Sequence, residues 1–466
     1  MSDSFRYQIP LSRTKVVCTI GPSCWDNAVL LAMANNGMNV ARLNFSHGDK
    51  TQHQDIIDRI HTLNNNRDIP VGIMLDTKGA EIRTGDVSKP IAVLEGEEVV
   101  FSAHLLPKEK MKVIQVSYDG FAKDVLETTT ILIDNGEISF DIVDTRSDGS
   151  VVARANQAGE IGSRRHINLP GADIDLPSIT ESDWDDITFG AAQNLDFIAL
   201  SFIRNADEVH SVRKLLRSLN STSKIIAKIE TQKAVQNIQE IIDASDVIMV
   251  ARGDLGADIP FEEVPAVQDE IVCRCKDASK PVIIATHMLE SMIEHPVPTR
   301  AEVTDTAHAV ATGADVTMLS GETASGIHPV LALQAMKRIH KATEEHLSRL
   351  ETIYDIHFHN SAEEEMNIAV EMAEKHKVDA IVLLTDTGRT AKNIAKFRPP
   401  LPIISFIKNQ HIRNELSLVY GVYPLYIDDH TAQNGIDHAI GIGLLQKGQK
   451  ILLLKDRAKK PEVLVI

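Results

Sequence analysis

Lys228 and Glu230 stand two residues apart in KIIAKIE, a run short and apolar enough to form a buried strand, so their side chains share one face. Asp254 follows the next such run, in VARGDLG. Two carboxylates on adjacent strand ends beside a lysine can hold one divalent cation by oxygen, magnesium or manganese, with positions left for water or substrate. The lysine then faces the bound anion. A ligand-free ion pair inside the fold is the alternative. Gly253 lets backbone N–H groups come close to a substrate, and a short helix starting there would aim its positive end at a carboxylate or phosphate; a plain tight turn is the other reading. In ARLNFSHG, Arg42, Asn44 and Ser46 also point together.

These residues need a scaffold that gathers strand ends. Eight short apolar, β-branched runs of strand length recur: 15–20, 38–45, 71–76, 197–202, 224–229, 247–251, 281–286 and 315–319. Helical patterns lie between them, in Val209, Val212, Leu215, Leu216 and Leu219, in Val235, Ile238, Ile241 and Ile242, and in Trp184, Ile187, Ala191 and Leu195, the last opened by a Thr180–Asp183 capping signal. The alternation predicts a parallel (β/α)8 barrel, whose active sites sit at the carboxyl ends of the strands. The long gap after Asp76 predicts an insertion, and its alternating stretches with Asn135-Gly136 and Asp148-Gly149 turns predict a small β-barrel lid. A helix over 362–376 and strands near 380–385, 402–406, 422–427 and 451–454 predict a third, α/β unit. The expected domains are 1–79 and 173–350 for the barrel, 80–172 for the lid and 351–466 for the C-terminal α/β unit.

Composition narrows the partners. The 466 residues carry a net charge of −17 and only 4% aromatics, which disfavours nucleic acid and anionic membrane surfaces. Cys18, Cys24, Cys273 and Cys275 have neither zinc spacing nor the density of a disulfide framework. No apolar run reaches membrane-spanning length, and MSDSFRYQIPLSRTK has no hydrophobic stretch of the secretory type. The expectation is a soluble, cytoplasmic protein.

Taken in order, ARLNFSHG, LDTKGAEIRTG, KIIAKIE, VARGDLG, ATHMLESM, PTRAE and MLSGETASG resemble the motifs of the pyruvate kinase family, over roughly the whole chain. The resemblance implies transfer of a phosphoryl group from phosphoenolpyruvate to ADP, giving pyruvate and ATP. It further implies Mg²⁺ (or Mn²⁺) on Glu230 and Asp254, with Arg42 and Lys228 gripping the phosphoryl group and Gly253 and Asp254 lining the substrate. Thr286 would act in the relay that protonates the enolate. K⁺ would bind Asn44, Ser46, Asp76 and the Thr77 carbonyl, and Glu81, where potassium-independent members tend to carry lysine, implies potassium dependence. Pro22, His47, Arg83 and Arg165 match nucleotide positions. The family's usual homotetramer is implied as well.

Several positions depart from the pattern. Ala80 replaces a hinge proline, Arg164-Arg165-His166 replaces two lysines and a glycine on the lid, and His287 stands where glutamine is common. The loop Thr385-Asp386-Thr387-Gly388-Arg389-Thr390 has backbone donors and hydroxyls able to cradle a phosphate, and resembles the family's effector loop. Asp386 adds a negative charge there, and the tail GQKILLLKDRAKKPEVLVI lacks the usual glycine-rich closing loop. The expected effector is therefore a phosphorylated metabolite, a sugar monophosphate or nucleotide as readily as fructose 1,6-bisphosphate. Two other classes stand against the kinase: a magnesium-dependent lyase or aldolase of keto acids, and a catalytically dead binding scaffold. The lysine, the lid and the monovalent-cation set speak against the first, and the intact Arg42, Lys228, Glu230 and Asp254 against the second.

Overall fold

A computed structural model describes residues 12–350, 358–455 and 461–466, apart from Asn135 and His430. Eight parallel strands, Lys15–Thr19, Val40–Asn44, Gly72–Asp76, Phe197–Leu200, Lys224–Ile229, Val247–Ala251, Val282–Ala285 and Val316–Leu319, pair in chain order, and the last closes on the first. All eight coincide with the predicted runs.

The runs are apolar throughout because both faces of each strand are covered. One set of residues packs outward under the helices, and the alternate set, including Val17, Val40, Met74, Ala199 and Ile226, fills the barrel interior. At the carboxyl end that inward row changes character. Val40 gives way to Arg42 and Asn44, Met74 to Asp76, Ala199 to Ser201, and Ile226 to Lys228 and Glu230, each two residues further along the same face. Strand periodicity thus turns a hydrophobic plug into a charged floor.

The helix Glu181–Ala192 opens with the expected capping box of Thr180 and Asp183. Val209, Val212 and Leu216 bury one face of Ala206–Ser218. The pattern Val235 to Ile242 forms two helices rather than one, Gln232–Gln236 and Ile238–Ala244, broken at Asn237, whose amide donates to the Arg204 carbonyl at 2.9 Å.

After the third strand the chain builds the lid, a seven-stranded sheet with a two-stranded ribbon. An antiparallel bridge from Thr84 to Val116 ties the sheet's two edges, so it curls into a small barrel around its own core, where Phe101 and Phe140 meet edge to face at 5.2 Å. Gly149 supplies the left-handed turn expected at Asp148-Gly149; Asn135 of the other turn lies outside the described residues.

The third unit has four parallel strands, in spatial order Val422–Tyr426, Ile403–Ile407, Ala380–Leu384 and Lys450–Leu454, plus an antiparallel edge strand, Glu462–Val465, that the sequence reading did not anticipate. It docks where barrel strands begin: Asn414 donates to Asp196 at 2.9 Å, Arg398 pairs with Asp315 at 3.2 Å, and Lys15 donates to the Val422 carbonyl at 2.6 Å. The charged floor lies at the opposite end. No helix among the described residues is long and apolar enough to cross a membrane.

Candidate active site

The inward faces of four neighbouring strands converge on Lys228. Its ammonium lies 3.1 Å from Asp76 Oδ1 and 2.9 Å from Glu230 Oε1, and donates to Ser201 Oγ at 2.7 Å. Three partners account for the three N–H groups of an ammonium. Burial alone would lower the lysine pKa, but Asp76 and Glu230 outweigh it and hold the group charged, above its ordinary value. Asp76 is fully buried, and Arg42 Nε approaches its other oxygen at 2.6 Å while Arg42 Nη1 donates to Thr19 Oγ1 at 2.9 Å. Burial would raise the Asp76 carboxyl; the two cations override it and hold it below the usual range.

Glu230 and Asp254 are in a different state. Glu230 accepts the Phe202 N–H on Oε2 at 2.7 Å, while Oε1 is buried with no hydrogen bond besides its ion pair with Lys228. Asp254, half-buried, lies near enough to Glu230 for their like charges to act on each other. Burial, against Lys228 and with Asp254 adding like charge, pushes Glu230 up to about 7, and burial raises Asp254 as well. Two neighbouring carboxylates whose charged forms are both disfavoured gain from a cation between them, so this pair fits a divalent ion. Among the described residues no group of three or more His, Cys, Asp and Glu forms a metal cage, and the pair leaves positions for substrate or water.

Thr286 is held in an unusual way. Its φ is +67° and that of His287 is +54°, both in the left-handed region that a β-branched residue rarely enters. The Gly253 N–H donates to Thr286 Oγ1 at 2.8 Å, and the hydroxyl donates to the Ala285 carbonyl at 2.6 Å. A helix, Arg252–Asp258, does start at this point. A Cβ on Gly253 would meet Thr286 Oγ1 at 3.5 Å, an ordinary contact, so the fold itself leaves room for a side chain there.

Among the expected K⁺ ligands, Asn44 and Asp76 are register partners on adjacent strands. Asn44 Oδ1 accepts the Ser46 N–H at 3.1 Å, and the Thr77 carbonyl accepts from Ser201 Oγ at 2.7 Å. Each of these acceptors keeps a second lone pair, and the set offers only oxygens. Glu81 is paired with Arg83, at 2.5 Å, so its charge is shared with the lid.

Arg83 also donates to the Arg164 carbonyl at 2.7 Å, and Arg165, half exposed, pairs with Asp134 at 3.2 Å. Pro22 and His47 are exposed on loops that leave the first and second strands. In the third unit, Gly388 adopts φ +73° ahead of the helix Arg389–Lys396, and Thr385 Oγ1 accepts its N–H at 3.0 Å. Thr387, Arg389 and Thr390 continue this loop into the helix, and Asp386 pairs with Lys408 at 3.1 Å.

Ser201 was given no role by the sequence reading, yet it joins Lys228 to the Thr77 carbonyl. Nothing local marks it; the pairing of Leu200 with Ala227, which puts Ser201 beside Lys228, would have been the signal.

Comparison with known proteins follows the same lines. Residues 11–333 match the family model described as pyruvate kinase, barrel domain, and residues 363–462 the one described as pyruvate kinase, alpha/beta domain. The chain is 41% identical over 465 residues to pyruvate kinase isozyme G, chloroplastic, of Nicotiana tabacum, covering 96% of this chain and 81% of the relative. It is 39% identical to a pyruvate kinase of Dictyostelium discoideum, covering 95% and 90%. The crystal structure of a pyruvate kinase from Cryptosporidium parvum superposes with a TM-score of 0.88 at 36% identity, over 97% of this chain and 95% of that one.

Proposed function

The chain belongs to the pyruvate kinase family, and on that premise we propose how its own residues divide the reaction. The enzyme is a phosphotransferase that moves the phosphoryl group of phosphoenolpyruvate to ADP, giving pyruvate and ATP at the end of glycolysis. Phosphoryl transfer passes through a loose transition state with charge on the equatorial oxygens, so fixed positive charge and positioning do most of the work. Lys228 supplies that charge from a saturated, immobile socket, and this is the observation that carries the reading. Arg42 grips the same group from the second strand, three places round the barrel, anchored by Asp76 and Thr19. Glu230 and Asp254 would hold Mg²⁺ or Mn²⁺, which when bound supplies positive charge to the phosphate and enolate oxygens.

Once the phosphoryl group has left, the enolate carbon takes a proton and the enolate C–O becomes the ketone carbonyl. A threonine hydroxyl is too weak an acid to be the proton source, so Thr286 orders a water or passes a proton along, and Gly253 N–H fixes where its hydroxyl points. Asn44, Ser46, Asp76 and the Thr77 carbonyl would receive K⁺. Pro22 and His47 on the barrel side and Arg83 and Arg165 on the lid side face the nucleotide. Residues 385 to 390 bind a phosphorylated effector, and 80–172 and 351–466 bound the lid and regulatory domains. A cytoplasmic homotetramer is our reading of the assembly and its location, supported for the location by four cysteines that are all free.

The test is pyruvate formation from phosphoenolpyruvate and ADP with Mg²⁺, with and without K⁺. Turnover that requires ADP, Mg²⁺ and K⁺ is expected. Turnover indifferent to K⁺ would remove the potassium site alone, and no turnover with any nucleoside diphosphate would return the lyase and the scaffold.

A further inference from the structure

Arg252 stands between Ala251 and Gly253 in VARGDLG, with its side chain only 10% exposed. Its guanidinium turns sideways onto the neighbouring strand end. Nη2 donates to the Thr286 carbonyl at 2.7 Å and Nε to the same oxygen at 3.2 Å, while Nη2 also lies 3.0 Å from Met288 Sδ. Nη1 pairs with Asp305 at 2.7 Å, on the helix Arg300–Thr312 outside the barrel. Consecutive residues therefore grip one threonine from two sides: the Arg252 side chain holds its carbonyl, and the Gly253 N–H holds its hydroxyl. Thr286 and His287 both carry positive φ, and backbone of this kind persists only where surrounding contacts over-determine it.

We propose that the Arg252–Asp305 pair is a positioning device that keeps Thr286 in its left-handed conformation and so aims its hydroxyl for the protonation half of the reaction. The inference rests on the role given to Thr286 above. Asp305 fixes the guanidinium, the guanidinium fixes the peptide, and the peptide fixes the hydroxyl. Arginine is required because a planar fork presents several donors in fixed directions, to carbonyl and carboxylate at once, which an ammonium cannot copy. Release of the carbonyl frees the peptide after Thr286 to turn, and a reacting group misplaced by about 1 Å loses on the order of 100-fold in rate.

Two half-reactions separate this role from a general structural one. Incorporation of solvent deuterium into the methyl group of pyruvate, followed by proton NMR with Mg²⁺ and K⁺ present, reads proton transfer at carbon. Single-turnover ATP formation from phosphoenolpyruvate and ADP reads phosphoryl transfer. Arg252→Lys and Asp305→Asn are expected to slow exchange about 10- to 100-fold while ATP formation changes by less than about threefold, and Asp305→Glu, which keeps the pair, restores exchange. Thr286→Ala sets the floor. Wild-type exchange in Thr286→Ala would sink the role of Thr286 and the inference with it. Slow exchange in Thr286→Ala beside wild-type exchange in Arg252→Lys and Asp305→Asn would sink the inference alone, as would equal loss of both half-reactions in both variants. If Arg252→Lys does not fold, Asp305→Asn decides, since it leaves the arginine in place.

Discussion

Lys228 spends all three of its N–H donors inside the protein, on Asp76, Glu230 and Ser201, before any substrate arrives. A cation so placed loses no freedom when the transition state forms, which is what makes preorganised charge effective. Lys228→Met is therefore expected to lower kcat by about 1,000-fold while the KM for phosphoenolpyruvate moves far less, since the charge matters most where negative charge spreads in transit. The same change leaves Glu230 buried without its counter-charge, at a cost of about 3 kcal/mol or more. Steady-state kinetics well below the lowered unfolding temperature keep the two effects apart; a KM that rises while kcat stays unchanged would make Lys228 a plain binding residue. Glu230 was legible from its spacing to Lys228, and Asp254 from its place after the next strand. Ser201 and Asp305 were not, because their partners lie 27 and 53 residues away and only the barrel brings them together.

The lid hangs from the barrel by two crossings, and on the return one Arg204 binds three successive stretches of backbone and side chain. Arg204 Nη2 donates to the Leu176 carbonyl at 2.6 Å and Nε to Ser178 Oγ at 3.0 Å, Nη1 donates to the Ile174 carbonyl, and Glu208 backs the guanidinium at 3.4 Å. Beside this clamp lies a cavity of about 160 Å³ bordered by Ala80, Phe202, Gln232 and Lys233. The crossing is thus fixed by polar contacts on one side and unpacked on the other, so local opening should depend on the arginine. Arg204→Gln removes about three hydrogen bonds of roughly 1 kcal/mol each, and protease cleavage between residues 169 and 180 should accelerate by about 10- to 100-fold. Cleavage at the wild-type rate, timed by mass spectrometry of the fragments, rules the clamp out. Element types were read from the sequence wherever burial was one-sided or complete. The final strand Glu462–Val465 was passed over although Val463 to Ile466 is an unbroken apolar run; it is a half-exposed edge, paired only to Lys450–Leu454, and it runs antiparallel in a unit whose other strands are parallel.

The third unit holds the amino ends of the barrel strands while the candidate site occupies their carboxyl ends, so a signal from the proposed effector loop at 385 to 390 has to cross the barrel, and one route is along the strands. Lys15 stands on that route: it opens the first strand, donates to Val422 of the third unit at 2.6 Å, and lies 4.2 Å from the centre of the Tyr423 ring. Its position inside a strand was legible, but a lysine in an apolar run offers no hint that another unit covers it. Burial, with Lys337 adding like charge against the pull of Glu344, lowers Lys15 to about 7. Unfolding returns it to about 10.5, the ordinary lysine value, so between these two values the unfolded chain binds the extra proton. Raising pH through that window therefore favours the folded state, and below about 7 both states are protonated and the effect vanishes. Compared with Lys15→Met, which cannot titrate, the wild-type protein should gain about 1 kcal/mol of stability per pH unit between pH 7 and 9.5. Thermal unfolding of the two proteins across that range measures it, and differencing cancels every group they share. Parallel curves would show that the ammonium stays charged at the junction, held by the Val422 carbonyl and the Tyr423 ring strongly enough to offset its burial.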